Sequence, residues 1–298
     1  MISAKSIECL MKKIVSLLGI IALTLAGFTA CNKVSGVETP STGKHIIKVT
    51  PIMGATRTVI TDDGNSVTAK WDADDIFYFN VWENGEPANS VEAVFTKDNT
   101  IAILYVDFDE NHSNNLVYTS SFGSVDEGGF PMVEHDQSPT TSSIDPAADL
   151  LVGKKIRRTS QPDELQVEFM RPVALVKMTL TGLEAGDQIT EVTIANNNGC
   201  LTGIYDAEDG EFNYSNGSTY IDLQYQAVQL LVDENGTAPI YFVSGPVSNA
   251  ELSVEVYTQN PNDSDDYHMY MKDFTKRISF PANKLTRFTA NLTGCKEY

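Results

Sequence analysis

The thiol of Cys31 stands where an export leader would be cut. Lys12-Lys13 opens that leader, residues 14–27 form an apolar run, and Phe28-Thr29-Ala30 lead into the cysteine. A basic segment, an apolar core and small residues are the order of a secretory signal. With a cysteine at the cut, the expected chemistry is lipidation of Cys31, removal of residues 1–30, and anchoring of the mature chain on a membrane by its acyl groups. The run is short for a membrane-spanning helix and suits the apolar core of a signal. Plain secretion, or a short anchor that ends at a cysteine, is the alternative. Phe28 occupies a position where Leu is usual, and Met11-Lys12-Lys13 reads as a start.

Other groups able to do chemistry are scattered. Of the four cysteines, Cys9 falls in or before the leader and Cys31 is assigned to lipid, which leaves Cys200 and Cys295. In an oxidising compartment these two could bridge the middle and the end of the C-terminal half, or stay as thiols. His45, His112, His135 and His268 never fall at a metal-ligand spacing and read as surface or strand histidines. No Gly-x-Ser-x-Gly elbow and no glycine-rich phosphate loop occurs. Carboxylates are so frequent that any pair of them is uninformative about glycoside hydrolysis. Asp72-Ala73-Asp74-Asp75 and Asp263-Ser264-Asp265-Asp266 offer hard oxygen ligands for Ca²⁺, yet neither has EF-hand spacing and solvated acidic loops look the same. The expectation is a protein without catalytic residues, cofactor or metal.

Charge narrows the partners. Of a net −19, the first thirty residues hold +2 (three lysines against Glu8), so −21 resides in the remainder. So acidic a surface is a poor match for nucleic acid or anionic lipid.

Behind the leader the pattern is all β. Runs of β-branched and aromatic residues separated by turn signals recur to the end of the chain. Residues 45–50 place Ile47 and Val49 on one face. Residues 58–71 read as a hairpin about Asp62-Asp63-Gly64-Asn65. Strands are expected over 76–82, 91–95 and 101–108. Over 119–149 the apolar signal thins to a long loop with one strand. The polar run 154–163, closed by Pro162, reads as a linker. A second series follows at 165–169, 174–180, 188–195, 238–243, 252–258, 267–274 and 285–292, the last with Phe288, Ala290 and Leu292 on one face. The expected organisation is a tether over 31–44 and two tandem β-sandwiches over 45–160 and 161–298. One large sandwich of both halves is the alternative.

These residues resemble a family. Ala55-Thr56-Arg57-Thr58, a hairpin, then Val67-Thr68-Ala69-Lys70-Trp71-Asp72-Ala73-Asp74-Asp75-Ile76 is similar to the opening of the fimbrillin proteins of the Bacteroidetes, with Asp74-Asp75 where Gly-Asp is common. Asp149-Leu150-Leu151 resembles the segment before that family's second domain. Residues 167–177, including Arg171-Pro172, resemble the strand after it, and Asn283-Lys284-Leu285-Thr286-Arg287 its final basic turn. The resemblance covers nearly the whole mature chain.

It implies transthyretin-like sandwiches and a lipoprotein precursor at the outer membrane and cell surface. An arginine- or lysine-directed protease then removes the first strand, and a strand from another pilin subunit enters the groove. Arg57 fits the cut, which would release residues 31–57 with the lipid. An uncleaved Arg57 in a solvated bend is the opposing reading. A stalk subunit needs a surplus donor strand, and after residue 292 only Thr293-Gly294-Cys295-Lys296-Glu297-Tyr298 follows. Either residues 285–292 are that donor or a tip, anchor or accessory role fits better. A surface lipoprotein that binds a glycan is the alternative function, with Trp82 and Tyr78, or Tyr214 and Tyr220, as its aromatic candidates.

Overall fold

In the computed structural model the residues described are 45–53, 61–62, 67–68, 76–94, 104–108, 115–126, 130–207, 209–263 and 265–297. Apart from a 3-10 turn at Pro146–Ala148, their regular structure is β. The alternating runs explain this directly: Glu164–Met170 buries Leu165, Val167 and Phe169 and exposes every residue between them.

The N-terminal half builds one seven-stranded sheet. Its order is Glu86–Val94, Ile76–Glu83, Leu116–Phe122, Leu151–Arg158, Glu164–Met170, His45–Met53 and Leu104–Phe108. The first two strands join through Asn84-Gly85, both at positive φ (53° and 89°), the geometry a two-residue hairpin turn demands and Asn-Gly tolerates. A core of Ile47, Val49, Phe77, Phe79, Leu116, Tyr118 and Phe169 lies against this sheet. Phe77 contacts Phe169 and Phe122 with ring centroids 5.1 and 5.5 Å apart.

Two expectations change here. Leu116–Phe122 carries residues 119–122 into the middle of the sheet, although a loop was expected from 119. Leu151–Arg158 runs on through the basic segment that reads as a linker, and pairs with Leu116–Phe122. Past the buried Leu151 and Val152, Ile156 packs inward while Lys154, Arg157 and Arg158 are exposed, and a bulge between Gly153 and Ile156 breaks the period of two. The composition of a solvated, bulged strand is that of a linker. The sheet also takes in Glu164–Met170, beyond residue 160.

The C-terminal half stacks two sheets on a larger core that includes Val176, Met178, Ile194, Ile221, Phe242 and Val256. One sheet is Thr237–Ser244, Ala174–Thr181 and Leu285–Asn291; the other runs Lys296–Glu297, Tyr267–Asp273, Leu252–Gln259, Gln188–Asn196, Tyr220–Gln224 and Asp136–Gln137, with Leu230–Leu231 also on Gln188–Asn196. Met132–Val133 pairs with Gly203–Asp206, so the segment 130–137 joins sheets of the C-terminal half. A third core, with Val133, Leu150, Val152, Val173, Leu175 and Val243, links the two halves.

Candidate strand-exchange interface

His45–Met53 occupies an interior place in its sheet. It runs antiparallel to Leu104–Phe108, with His45 opposite Phe108 and Val49 opposite Leu104. On its other side it runs parallel to Glu164–Met170, from Lys48 opposite Glu164 to Met53 opposite Phe169. Lys48 N donates to Asp163 O at 2.9 Å, and Lys48 Nζ reaches Glu164 Oε1 at 2.9 Å on the solvated face. On the other face Ile47 and Val49 are fully withdrawn from water. Each such aliphatic side chain contributes about 1.5–3 kcal/mol by burial, and each ladder hydrogen bond adds about 0.5–1.5 kcal/mol.

Removal of this strand would therefore open a slot one strand wide. Both of its walls would present unpaired backbone N–H and C=O groups, and its floor an apolar strip vacated by Ile47 and Val49. A strand of alternating pattern fits such a slot by β-augmentation. Cys31 and Arg57, the lipidation and processing residues expected from sequence, lie outside the described residues.

The last long strand lies at the edge of its three-stranded sheet. Leu285–Asn291 runs parallel to Ala174–Thr181, with Leu175 opposite Leu285 and Thr181 opposite Asn291. Ala290 and Leu292 are fully buried, and Phe288 stacks on Phe280 at 6.1 Å. Lys296–Glu297 then extends the larger sheet beside Tyr267–Asp273.

The remaining sequence candidates are dispersed. Cys200 and Cys295 are both free thiols and half-buried. Cys200 Sγ is held by Gly217 O at 3.3 Å and Tyr214 O at 3.6 Å, and Cys295 Sγ lies 4.0 Å from Thr293 O. Tyr78 and Trp82 share the outer face of their strand, both half-buried. Tyr214 and Tyr220 go separate ways. The Tyr214 hydroxyl donates to Pro246 O at 2.6 Å, and burial pushes its pKa up to about 12; Tyr220 meets the edge of His135. A concavity of about 280 Å³ between Met132, His135, Thr202, Asn216 and Tyr220 falls below the usual small-molecule range.

Of the acidic runs, Asp72 to Asp75 lie outside the described residues. Asp263 and Asp265 close their own loop, Asp265 N donating to Asp263 Oδ1 at 3.1 Å. Asp266 instead turns to His268. That histidine is buried among carboxylates, which sequence reading missed; the one local sign was Asp266 two residues before it, on the same side of a strand.

No protein-family model matches the chain, and no curated protein matches it. Among solved structures it is similar to a candidate cell adhesion protein of Bacteroides uniformis, at 14% identity and TM-score 0.46 over 87% of this chain and 96% of that one. It is similar to a fimbrial assembly protein of Parabacteroides distasonis, at 11% identity and TM-score 0.43 over 83% and 90%. It is also similar to the fimbrial anchor protein Mfa2 of Porphyromonas gingivalis, at 9% identity and TM-score 0.38 over 82% and 91%. The structures this all-β chain is similar to thus carry adhesion and fimbrial names.

Proposed function

We propose that this protein is a subunit of a cell-surface fimbria, structural or accessory, whose first strand holds the place of a strand from another subunit. The observation that carries the reading is the interior position of His45–Met53, paired on both sides and burying Ile47 and Val49. A strand at a sheet edge could leave at the cost of one ladder; this one leaves a two-walled slot that an incoming strand fills completely. In this reading the lipid on Cys31 holds the precursor at the outer membrane, and a protease cutting after Arg57 releases lipid and strand together.

The test is the N-terminus and intact mass of the mature protein from its own cells, with an Arg57→Ala variant beside it. A wild-type chain that begins at Thr58 without lipid, and a variant that keeps a lipidated Cys31 and does not assemble, are expected. Unchanged processing of the variant would overturn the role of Arg57. Assembled fibres that still contain residues 45–53 would overturn the exchange itself.

A further inference from the structure

His268 lies on the inward face of Tyr267–Asp273, 8% exposed, against the turn that carries Glu184 and Asp187. Its Nδ1 is 2.9 Å from Asp187 Oδ2 and 3.9 Å from Glu184 Oε2, while Nε2 is 3.1 Å from Asp266 Oδ1. Asp187 is 5% exposed and accepts a second hydrogen bond from Thr258 Oγ1 at 2.8 Å. Glu184 is exposed on its outer side, where Lys296 Nζ holds its Oε1 and leaves Oε2 facing the ring.

A neutral imidazole has one N–H. If Nε2–H donates to Asp266, the lone pair of Nδ1 faces two carboxylates. If Nδ1–H donates to Asp187, the lone pair of Nε2 faces Asp266. In either tautomer an acceptor meets an acceptor, so the arrangement calls for a cation at the ring: a second proton or a metal ion. A carboxylate on the far nitrogen is the usual way a ligating histidine is oriented.

The distances suit a metal on the Nδ1 side. Ligand atoms about 2.0–2.1 Å from a tetrahedral zinc stand about 3.3 Å from one another. The 2.9 and 3.9 Å separations bracket that value, and one donor atom from each of Glu184, Asp187 and His268 falls within a 4.8 Å set. The Tyr270 hydroxyl lies on the same strand face, near the charges of Glu184, Asp187 and Lys296 and within reach of the Glu184 backbone. Three protein ligands would leave one position for water.

We propose that Glu184, Asp187 and His268 bind one first-row transition-metal cation of the Zn²⁺ type, clipping the turn after Ala174–Thr181 to strand Tyr267–Asp273. Imidazole nitrogen with two carboxylates selects this class over Ca²⁺ and Mg²⁺, which prefer all-oxygen shells. The metal–Nδ1 bond takes the place of an N–H bond, and that proton goes to solvent. Lys296 is the built-in competitor, since it already neutralises half of Glu184.

The experiment titrates ZnCl₂ into the EDTA-stripped mature protein by calorimetry, with Co²⁺ absorption as a second readout of coordination. Wild type, His268→Gln and Glu184→Gln are compared. One equivalent bound by the wild type is expected, weakened roughly 10–100-fold in each variant, with weaker Co²⁺ bands. No saturable uptake below millimolar zinc would overturn the site, as would equal affinity in wild type and Glu184→Gln. The glutamate is exposed, so its variant decides the matter even if His268→Gln does not fold.

Discussion

Arg171 grips Asp149 through two parallel hydrogen bonds, Nε to Oδ1 at 2.8 Å and Nη2 to Oδ2 at 3.0 Å, with the aspartate fully buried and the arginine 6% exposed. Asp149 stands just before Leu151–Arg158 and Arg171 just after Glu164–Met170, strands that pair at Val152 and Met170. The fork therefore locks the point where the chain leaves the N-terminal sheet for the core shared by Leu150, Val173 and Leu175. It also gives a physical reason for two segments, Asp149-Leu150-Leu151 and Arg171-Pro172, that the sequence offers only as separate points of likeness.

Removing one partner of this pair strands a buried charge. Arg171→Ala or Asp149→Ala is expected to lower unfolding stability by about 3–5 kcal/mol. The double change Asp149→Leu with Arg171→Met is expected to recover most of it, since two apolar groups leave no unpaired charge. Urea unfolding of the four proteins checks this; equal loss in single and double variants would contradict it.

The first strand should matter on one face only. Ile47→Ala is expected to cost about 2–5 kcal/mol, from lost burial and the cavity left behind. Met170→Ala, on the neighbouring strand but 38% exposed, is expected to stay within about 0.5 kcal/mol. A chain starting at Thr58 should regain the lost stability when a peptide of residues 45–56 is added. Thermal melts with and without the peptide read this out.

Gln137 acts as a piece of strand. Its Oε1 accepts from Val243 N at 2.9 Å and its Nε2 donates to Val243 O at 2.7 Å, closing the buried edge of Thr237–Ser244. Gln137→Leu leaves both backbone groups unpaired at about 1–3 kcal/mol each. Hydrogen exchange at the Val243 amide should accelerate in that variant while Val176, in the next strand, keeps its protection.

Alkaline pH should loosen the N-terminal core. Burial raises the Tyr118 phenol from 10.0 to about 12, with Arg158 opposing and Glu83 adding to the rise. A group with a raised folded pKa contributes its full stability below the unfolded value, near pH 10, and loses it as pH climbs through the folded one. Stability is thus expected to be flat in this respect up to about pH 10 and to fall toward about pH 12. Phenolate absorbance should show late-titrating tyrosines, one fewer in Tyr118→Phe, a variant that also deletes a buried hydroxyl without a partner.

What the sequence by itself determined is local. Alternation named the strand at 45–50 and its inward Ile47 and Val49, the strict pattern of 165–169, and the inward side of the last strand, because side-chain direction in a strand depends only on position along it. Residues 154–158 read as a linker because a bulge breaks their alternation and charge on an exposed face looks the same on a strand as in a linker.

Tertiary structure alone decided the pairings. Lys48 and Glu164 are 116 residues apart, and no local pattern states that the first strand enters between Leu104–Phe108 and Glu164–Met170. The same holds for His268, whose partners Glu184 and Asp187 arrive on a turn more than eighty residues earlier in the chain. Burial, charge pairing and an open coordination position depend on which distant segments meet. That is set by the packing of whole sheets, and a one-dimensional pattern carries no term for it.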